Sequence, residues 1–461
     1  MNYHRYFAAA RQPVETCIVG SGSFGQSFLA QARKVPMMRA RVAVDVDPTI
    51  AGDAFKAVGI DAREIAVCTT AAEAKAAWDA GRFVAAGDLA HVIDLPIDVV
   101  VEATGHPEAG ARHARLAVEA SRHLVLVSKE VDSVVGPGLA RAARARGRVV
   151  TPVDGDQPSL LIGLVTWAET LGFTIVAAGK SSEYDFVFDA TAGTMASNKV
   201  TVPAPDFAKH WTLGSRAAEE IVAARAHSAA ALQQRTVPDL CEMLVVANAT
   251  GLTFDRANFH APLARISEVP TILAEKSDGG LLDGIRRIDV FNCLRTPDEI
   301  SFAGGVFVVV RCEDKATWAM LEEKGHVLGR NGATAMLWLP RHLLGLEAAT
   351  SVLEAAVLGR SSGADEPQPN LDLAACAMAD IPAGTVLTAS GHHHSIENVS
   401  GMLVAGAALA PNAPVPFYLA ANRRLLRAVA KGSIILCGDV ELDDKSELLA
   451  LRRQQDASFF G

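Results

Sequence analysis

Ile18-Val-Gly-Ser-Gly-Ser-Phe-Gly25 follows a short apolar run, residues 16–19, and leads into a helix-like stretch, residues 26–33. Gly20, Gly22 and Gly25 therefore stand at G-x-G-x-x-G spacing between a strand and a helix. In that context each glycine has a physical task. Gly20 permits the tight turn, Gly22 lets backbone approach a pyrophosphate, and Gly25 lets the helix pack on the strand. The helix start, with Ser21, Ser23 and Phe24 between the glycines, offers free N–H groups and the positive end of a dipole to phosphate oxygens. A second apolar run, residues 41–46, carries Asp45 about 20 residues after the glycines, where an acid that binds a ribose belongs. The spacing points to a dinucleotide site; the alternative is a plain glycine-rich turn.

Outward from this motif, the first 155 residues alternate strand-like and helix-like runs. Strands are expected at 16–19, 41–46, 99–102, 124–127 and 149–153, with helices between them at 71–79 and 107–120. Such alternation predicts a parallel sheet covered on both faces, an α/β doubly wound fold of the Rossmann type. Asp98-Val-Val-Val-Glu-Ala-Thr-Gly105 reads as a buried strand ending in small residues. Ligands of open α/β sheets sit outside such carboxyl ends, so Thr104 and Gly105 join the cofactor candidates.

From residue 159 the pattern becomes mixed, with helical stretches at 159–171, 215–234 and 240–249 among β-rich runs at 173–178 and 300–310. The expected organisation is a nucleotide-binding domain over 1–158, an inserted α+β catalytic and dimerisation domain over 159–342, and a single helix over 343–358 returning to the first domain. A linker over 359–370 and a small β-rich module over 371–461 complete it. The module contains a weak echo: Asp380-Ile-Pro-Ala-Gly-Thr-Val-Leu-Thr388 against Ala428-Val-Ala-Lys-Gly-Ser-Ile-Ile-Leu436.

Composition narrows the class. Among 461 residues, 50% are hydrophobic and 21% charged, as in an ordinary folded protein. A net charge of −9 argues against nucleic acid or an anionic membrane as the main partner. No run of 18 apolar residues occurs, and the polar stretch 1–15 lacks the core of a signal peptide. The seven dispersed cysteines form no C-x-x-C pair and predict reduced thiols in a cytoplasmic protein.

The order Gly-rich loop, Val-Val-Glu-Ala-Thr-Gly, Val127-Ser-Lys-Glu130, Pro152-Val-Asp-Gly-Asp-Gln-Pro158 resembles homoserine dehydrogenases. Residues 380–387 and Asn422-Arg-Arg-Leu425 look like a SAF domain. Together they resemble homoserine-dehydrogenase-like oxidoreductases with a C-terminal SAF domain. That family includes DXR-like enzymes, which convert 1-deoxy-D-xylulose 5-phosphate to 2-C-methyl-D-erythritol 4-phosphate. The resemblance implies an NAD(P)H-dependent oxidoreductase and a homodimer, with a small polar, optionally phosphorylated substrate and Mg2+ or Mn2+ as an optional cofactor. A dehydrogenase of a small sugar acid or hydroxy acid is the alternative, and a cofactor-binding sensor a third. Homoserine dehydrogenases carry an Asp and a Lys four residues apart on a substrate-domain helix. In Asp239-Leu-Cys-Glu-Met-Leu244 the lysine position is Met243.

Reduction of a carbonyl needs a group that delivers a proton to the developing alkoxide. Lys129, after the strand at 124–127, is a candidate for that role or for orienting the cofactor; the plain alternative is a snorkelling surface lysine. Asp154 and Asp156 flank Gly155 before a helix, where they can bind substrate or metal, or simply cap it. Lys180-Ser-Ser-Glu-Tyr-Asp185 gathers Lys180, Glu183 and other polar groups in one loop, against a solvated turn as the alternative. Lys180 is the substitute for the missing helix lysine. Glu242 and Asn248 are weaker candidates. Arg330, Asn331 and His342 read mainly as turn residues. Arg286, Arg287, Arg330 and Lys276 are the candidates for a phosphate cluster. The internal run His392-His-His394 places adjacent side chains on alternate faces of a strand and makes a poor metal site.

Overall fold

A computed structural model of the chain describes residues 2–391 and 394–461; His392 and His393 of the triple-histidine run lie outside the described residues. The chain divides into two compact units, Met1–Ser159 with Leu343–Ser400 and Ala405–Gly461, and Leu160–His342 with Gly401–Val404.

After the short α1 (Tyr3–Tyr6), the first unit is built on a seven-stranded parallel sheet. Its strands are β1 (Val14–Val19), β2 (Met38–Val44), β3 (Ile65–Cys68), β4 (Phe83–Ala86), β5 (Val99–Glu102), β6 (His123–Leu126) and β7 (Val150–Pro152). They lie in the order β3-β4-β2-β1-β5-β6-β7. The helices are α2 (Ser23–Ala32), α3 (Pro48–Ala57), α4 (Ala71–Asp79), α5 (Pro107–Glu119) and α6 (Lys129–Arg144), with α7 (Gln157–Thr170) following β7. Cys17, Ile18 and Val19 of β1 and the three valines of β5 are all within 1% of full burial. Central strands this apolar need helices on both faces. The chain leaves β1 toward β2 on one side and reaches β5 on the other, so the strand order reverses between β1 and β5. That reversal is where a doubly wound sheet opens a crevice for a ligand.

Two strands were absent from the sequence reading. β3 is four residues with Val67 exposed, and β4 ends in two alanines, so neither shows a long β-branched run. The single helix expected over 343–358 is three pieces: a 3-10 turn at Leu344–Leu346, α12 (Ala349–Leu353) and a π turn at Glu354–Leu358. Gly345 explains the break. A Cβ there would lie 2.6 Å or less from Phe24 O, Phe28 N and Ser27 Oγ, so the chain is pressed directly on α2. Ala348, Val352 and Leu353 then join Ile18 and Phe28 in one core.

The second unit centres on β14 (Arg287–Arg295), nine residues long and buried along its middle. β8 (Ile175–Ser181) runs parallel beside it, and β15 (Val306–Arg311) pairs antiparallel with β8. β9 (Phe186–Asp189), β10 (Thr194–Ser197) and β11 (Val200–Pro203) extend one side. β17 (Thr334–Leu339) and β16 (Val327–Leu328) extend the other, while β12 (Thr253–Phe254) and β13 (Leu263–Ala264) add short pairings to β14. The helices are α8 (Ala218–Ser228), α9 (Val237–Thr250), α10 (Val269–Ile272) and α11 (Lys315–Glu323). The expected helix at 215–234 shrinks to α8. α9 starts at the Thr236 cap, with Pro238 in its first turn, and stops at Gly251 in the left-handed region.

Apart from Gly401–Val404, the C-terminal module belongs to the first unit. It holds β18 (Leu371–Ala377), β19 (Ala389–Ser390), β20 (Ser395–Ile396), β21 (Val399–Ala405), α13 (Phe417–Ala420) and α14 (Glu447–Phe459). Its sheet order is β18-β21-β20-β19. The two echoed segments meet each other: Ile381 bridges Val429 antiparallel. All seven cysteines are buried, and none is joined to another in a disulfide. Among the described residues no helix is long and apolar enough to cross a membrane.

One buried histidine gives the first unit a pH signature. His123 Nδ1 accepts the Val149 N–H at 3.2 Å, and Arg148 Nη1 lies 3.5 Å from Nε2. Burial first, and then the Arg148 charge, lower its pKa from 6.5 to about 4. The unfolded chain takes this proton near pH 6.5 and the folded chain only near pH 4. The contribution is therefore complete above pH 6.5 and lost as pH falls toward 4, by at most ~3 kcal/mol. Urea midpoints measured from pH 7 to pH 4.5 are expected to fall less steeply for His123→Asn than for the parent. Parallel curves would remove His123 from the pH response.

Candidate functional site

In the first unit the G-x-G-x-x-G loop closes the carboxyl end of β1. Gly20 has φ +100°, and a Cβ there would lie 2.6 Å from Ala103 O, so the β1 and β5 loops touch through bare backbone. A Cβ on Gly25 would meet Gly20 O at 2.1 Å. Gly22 differs: nothing lies within 4 Å of its Cβ position, and it caps α2 without any side-chain bond. Ser21 Oγ is buried without a hydrogen-bond partner among the described residues. An open face over Gly22, an uncapped ten-residue helix and an orphaned hydroxyl fit a phosphate-bearing dinucleotide. Asp45 follows β2 and is aimed by two backbone donors, Ser21 N at 2.8 Å and Val46 N at 2.9 Å. Gly20–Gly25 with Ser21, Ser23 and Phe24 would hold the pyrophosphate, and Asp45 a ribose.

At the end of β5, Glu102 is fully buried. Its Oε1 accepts the Thr104 hydroxyl at 2.5 Å, and Oε2 has no partner among the described residues. Ser128 Oγ accepts the Gly105 N–H at 2.8 Å, which links the β5 and β6 loops. Lys129 begins α6 with its ammonium 4.0 Å from Asp156 Oδ2. Thr104 and Gly105 thus follow the end of β5, and Lys129 follows the end of its neighbour β6.

Asp154 departs from its expected role in substrate or metal binding. It accepts the Thr350 hydroxyl at 2.6 Å and the Ser159 hydroxyl, and its N–H donates to Ser351 Oγ at 2.7 Å. Burial raises its pKa. Oδ1 accepts from Ser159 in the first turn of α7, and Oδ2, through Thr350, ties the exit of β7 to α12. Asp156 accepts the Gln157 N–H at 2.9 Å and faces Lys129.

In the second unit Lys180 sits at the end of β8, 1% exposed. Its Nζ lies 2.9 Å from Asp239 Oδ1 and contacts Glu242 Oε2 more closely still. Both acids come from α9, one turn apart, and each is 2% exposed. Asp239 Oδ2 also accepts the Ser182 and Thr236 hydroxyls, both at 2.8 Å. The adjacent strand thus sets a lysine against the helix that carries Met243 where the resemblance puts one. Met243 itself is fully buried. Lys180 and Glu242, read separately in the sequence, form one site, and Asp239 and Ser182 complete it. The signal for Asp239 was its helix spacing to Glu242 inside an apolar run, where a charge must find a countercharge.

The remaining members of the 180–185 loop separate. Glu183 is exposed, and Asp185 pairs with Arg295 at 2.6 Å. Asn248 is buried in α9. The phosphate cluster is not assembled, because each cation is engaged elsewhere. Arg286 pairs with Glu169 at 2.6 Å, Lys276 with Asp283 at 2.5 Å and Arg287 with Asp255 at 3.4 Å. Arg330 donates to the Gly214 and Arg216 carbonyls. His342 Nδ1 lies 2.9 Å from Gly304 O, within turn structure. No group of three His, Cys, Asp or Glu among the described residues is placed to hold a metal ion. Within the first unit, Asp154 spends its oxygens on the Ser159 and Thr350 hydroxyls and Asp156 faces Lys129, so these two acids do not make a site for the Mg2+ or Mn2+ that the family resemblance allows.

Residues 155–348 match the family model described as oxidoreductase DRL, catalytic domain. No curated protein matches the chain. Among solved structures, GenD2 from gentamicin A biosynthesis in complex with NAD is 15% identical, covering 76% of this chain and 88% of that one, at a TM-score of 0.36. An oxidoreductase from Bacillus cereus is 11% identical over 77% and 92%, at 0.33. DOX-P reductoisomerase in complex with NADPH, fosmidomycin and magnesium is 17% identical over 51% and 57%, at 0.28. No residue role is carried over from likenesses this distant.

The triad has a measurable energetic consequence. Lys180→Met leaves two carboxylates buried without their cation and is expected to lower unfolding stability by about 3–5 kcal/mol. Adding Asp239→Asn and Glu242→Gln to that variant removes the stranded charges and is expected to restore much of the loss in guanidinium unfolding. Additive losses would show that the three groups do not act as a unit.

Proposed function

We propose that the protein is an NAD(P)-dependent oxidoreductase acting on a small polar hydroxy or carbonyl compound. The observation that supports this reading most is the buried Lys180–Asp239–Glu242 triad, set inside the segment that matches an oxidoreductase catalytic domain. Gly20–Gly25 and Asp45 would hold a dinucleotide, which when bound would supply or accept the hydride. Lys180 carries the proton to or from the substrate oxygen. Asp239 and Glu242 hold its ammonium in place, and the Ser182 and Thr236 hydroxyls fix Asp239 in turn. Lys129, at the end of the β6 loop, orients the cofactor.

A simple dehydrogenase or reductase is the reading the geometry favours. The four candidate phosphate-binding cations are engaged by protein partners, and among the described residues no group of three His, Cys, Asp or Glu is placed to hold a metal ion. The DXR-like reductoisomerase reading stands second, carried by the motif order of the first 158 residues and the match over 155–348. It requires the substrate itself to recruit the metal and phosphate contacts. In solution we propose a cytoplasmic homodimer.

The test is turnover. NADH or NADPH oxidation is followed against a panel of small keto and hydroxy compounds that includes 1-deoxy-D-xylulose 5-phosphate with Mg2+ or Mn2+. Turnover on a non-phosphorylated compound supports the first reading, and turnover on the phosphosugar supports the second. Cofactor binding with no turnover on any compound leaves the sensor. With an active substrate, Lys180→Ala is expected to lower turnover by about 100-fold or more while cofactor affinity changes little. Near-parental turnover would remove Lys180 from the chemistry. Asp45→Ala is expected to shift the affinity ratio toward NADP(H), because Asp45 repels a 2′-phosphate; an unchanged ratio would remove it as the ribose acid.

A further inference from the structure

The C-terminal module is fastened to the helices that follow the cofactor loops. Glu108, in the first turn of α5, accepts the Glu447 N–H at 3.0 Å, the Ser446 hydroxyl, and Arg423 Nη2 at 3.2 Å. Arg115 grips Glu447 through Nε at 2.8 Å and Nη2 at 3.0 Å. On α6, Gln455 accepts the Gly138 N–H at 2.8 Å and donates to Val134 O at 3.1 Å. Within the module, buried Arg452 ties α14 to Asp372 of β18 at 2.5 Å and pairs along its own helix with Asp456 at 2.7 Å. These contacts fix the module without help from its histidines.

From this frame His394 reaches the β5 loop. Its Nε2 lies 2.7 Å from Gly105 O, and its ring stands edge-on to His106 at 5.3 Å between centroids. Gly105 is therefore held at both polar backbone atoms: its N–H by Ser128 Oγ, its carbonyl by the module. Thr104, the preceding residue, is held by Glu102. Gly105 has φ +66° and open space at its Cβ position, so no neighbouring atom wedges the turn from that side. A glycine in that setting reorients easily unless hydrogen bonds restrain it.

We propose that His394 is a positioning residue for the dinucleotide. By donating from Nε2 to Gly105 O it holds the Thr104–Gly105 turn in its binding conformation, so the C-terminal module contributes to the cofactor site. This rests on the reading of that turn as cofactor-binding.

The full-length protein, His394→Ala and His394→Gln are titrated with NADH and with NADPH by cofactor fluorescence, and unfolding of each cofactor-free form is followed in urea. His394→Ala is expected to weaken the better-bound cofactor about tenfold, the scale of one hydrogen bond with its restraint. His394→Gln, whose amide can donate to the same carbonyl, is expected to recover most of that loss. The cofactor-free urea midpoints are expected to coincide. Parental affinity in His394→Ala overturns the proposal. So does a loss shared by both variants together with a lowered midpoint, which marks a purely structural role. If the parent binds neither NADH nor NADPH, the oxidoreductase reading itself fails and the proposal falls with it.

Discussion

An ammonium ion cannot remain charged among apolar strands without a countercharge within contact distance. Lys180 lies at the end of a strand buried along its whole length, so the second unit must bring acids to it. α9 does so with Asp239 and Glu242, and this requirement fixes how α9 faces β8. The helix is almost wholly buried, and its other residues give the packing little preference for one face over another. The charge triad supplies the orientation that hydrophobicity alone leaves open. It also makes the cluster suited to proton transfer, since a positioned lysine between two carboxylates is held at one point in space.

The first unit answers a different constraint, the close approach of backbone to backbone. β1 and β5 are paired neighbours at the strand-order reversal, and their loops touch at Gly20 and Ala103 with no room for a side chain. That contact leaves the space over Gly22 open and the start of α2 uncapped. A second layer of polar contacts then fixes the loops: Asp45 on Ser21 N, Glu102 on Thr104, and Ser128 and His394 on Gly105. The two glycine-bearing turns thus differ in how they are held. The first is set by steric exclusion and the second by hydrogen bonds, one of which comes from almost 290 residues away in the chain.

The parallel sheet, the mixed second unit and the glycine-rich turn after β1 are legible in the sequence because each has a local signal: alternating runs, a change of pattern, and glycines at fixed spacing. The sequence reading missed β3 and β4, whose alanine-rich or half-exposed residues carry little β signal. It took 343–358 for one helix because the pressure of α2 on Gly345 is invisible in a linear pattern. It gave Asp154 a chemical role that tertiary contacts with Thr350 and Ser351 convert into a structural one.

By itself, then, the sequence determined the local elements and the residue types available for chemistry, including a lysine in the 180–185 loop and acids at 239 and 242. Periodicity and turn chemistry act over a few residues, and so they are legible in order along the chain. Which charges neutralise one another was decided only by the fold. The cations at 276, 286, 287 and 330 are alike in sequence to the one at 180, yet each is taken up by a partner on its own stretch of surface or loop. Lys180 alone of these five is buried against α9. Coulombic pairing depends on distance and dielectric, and both exist only once strands and helices have packed.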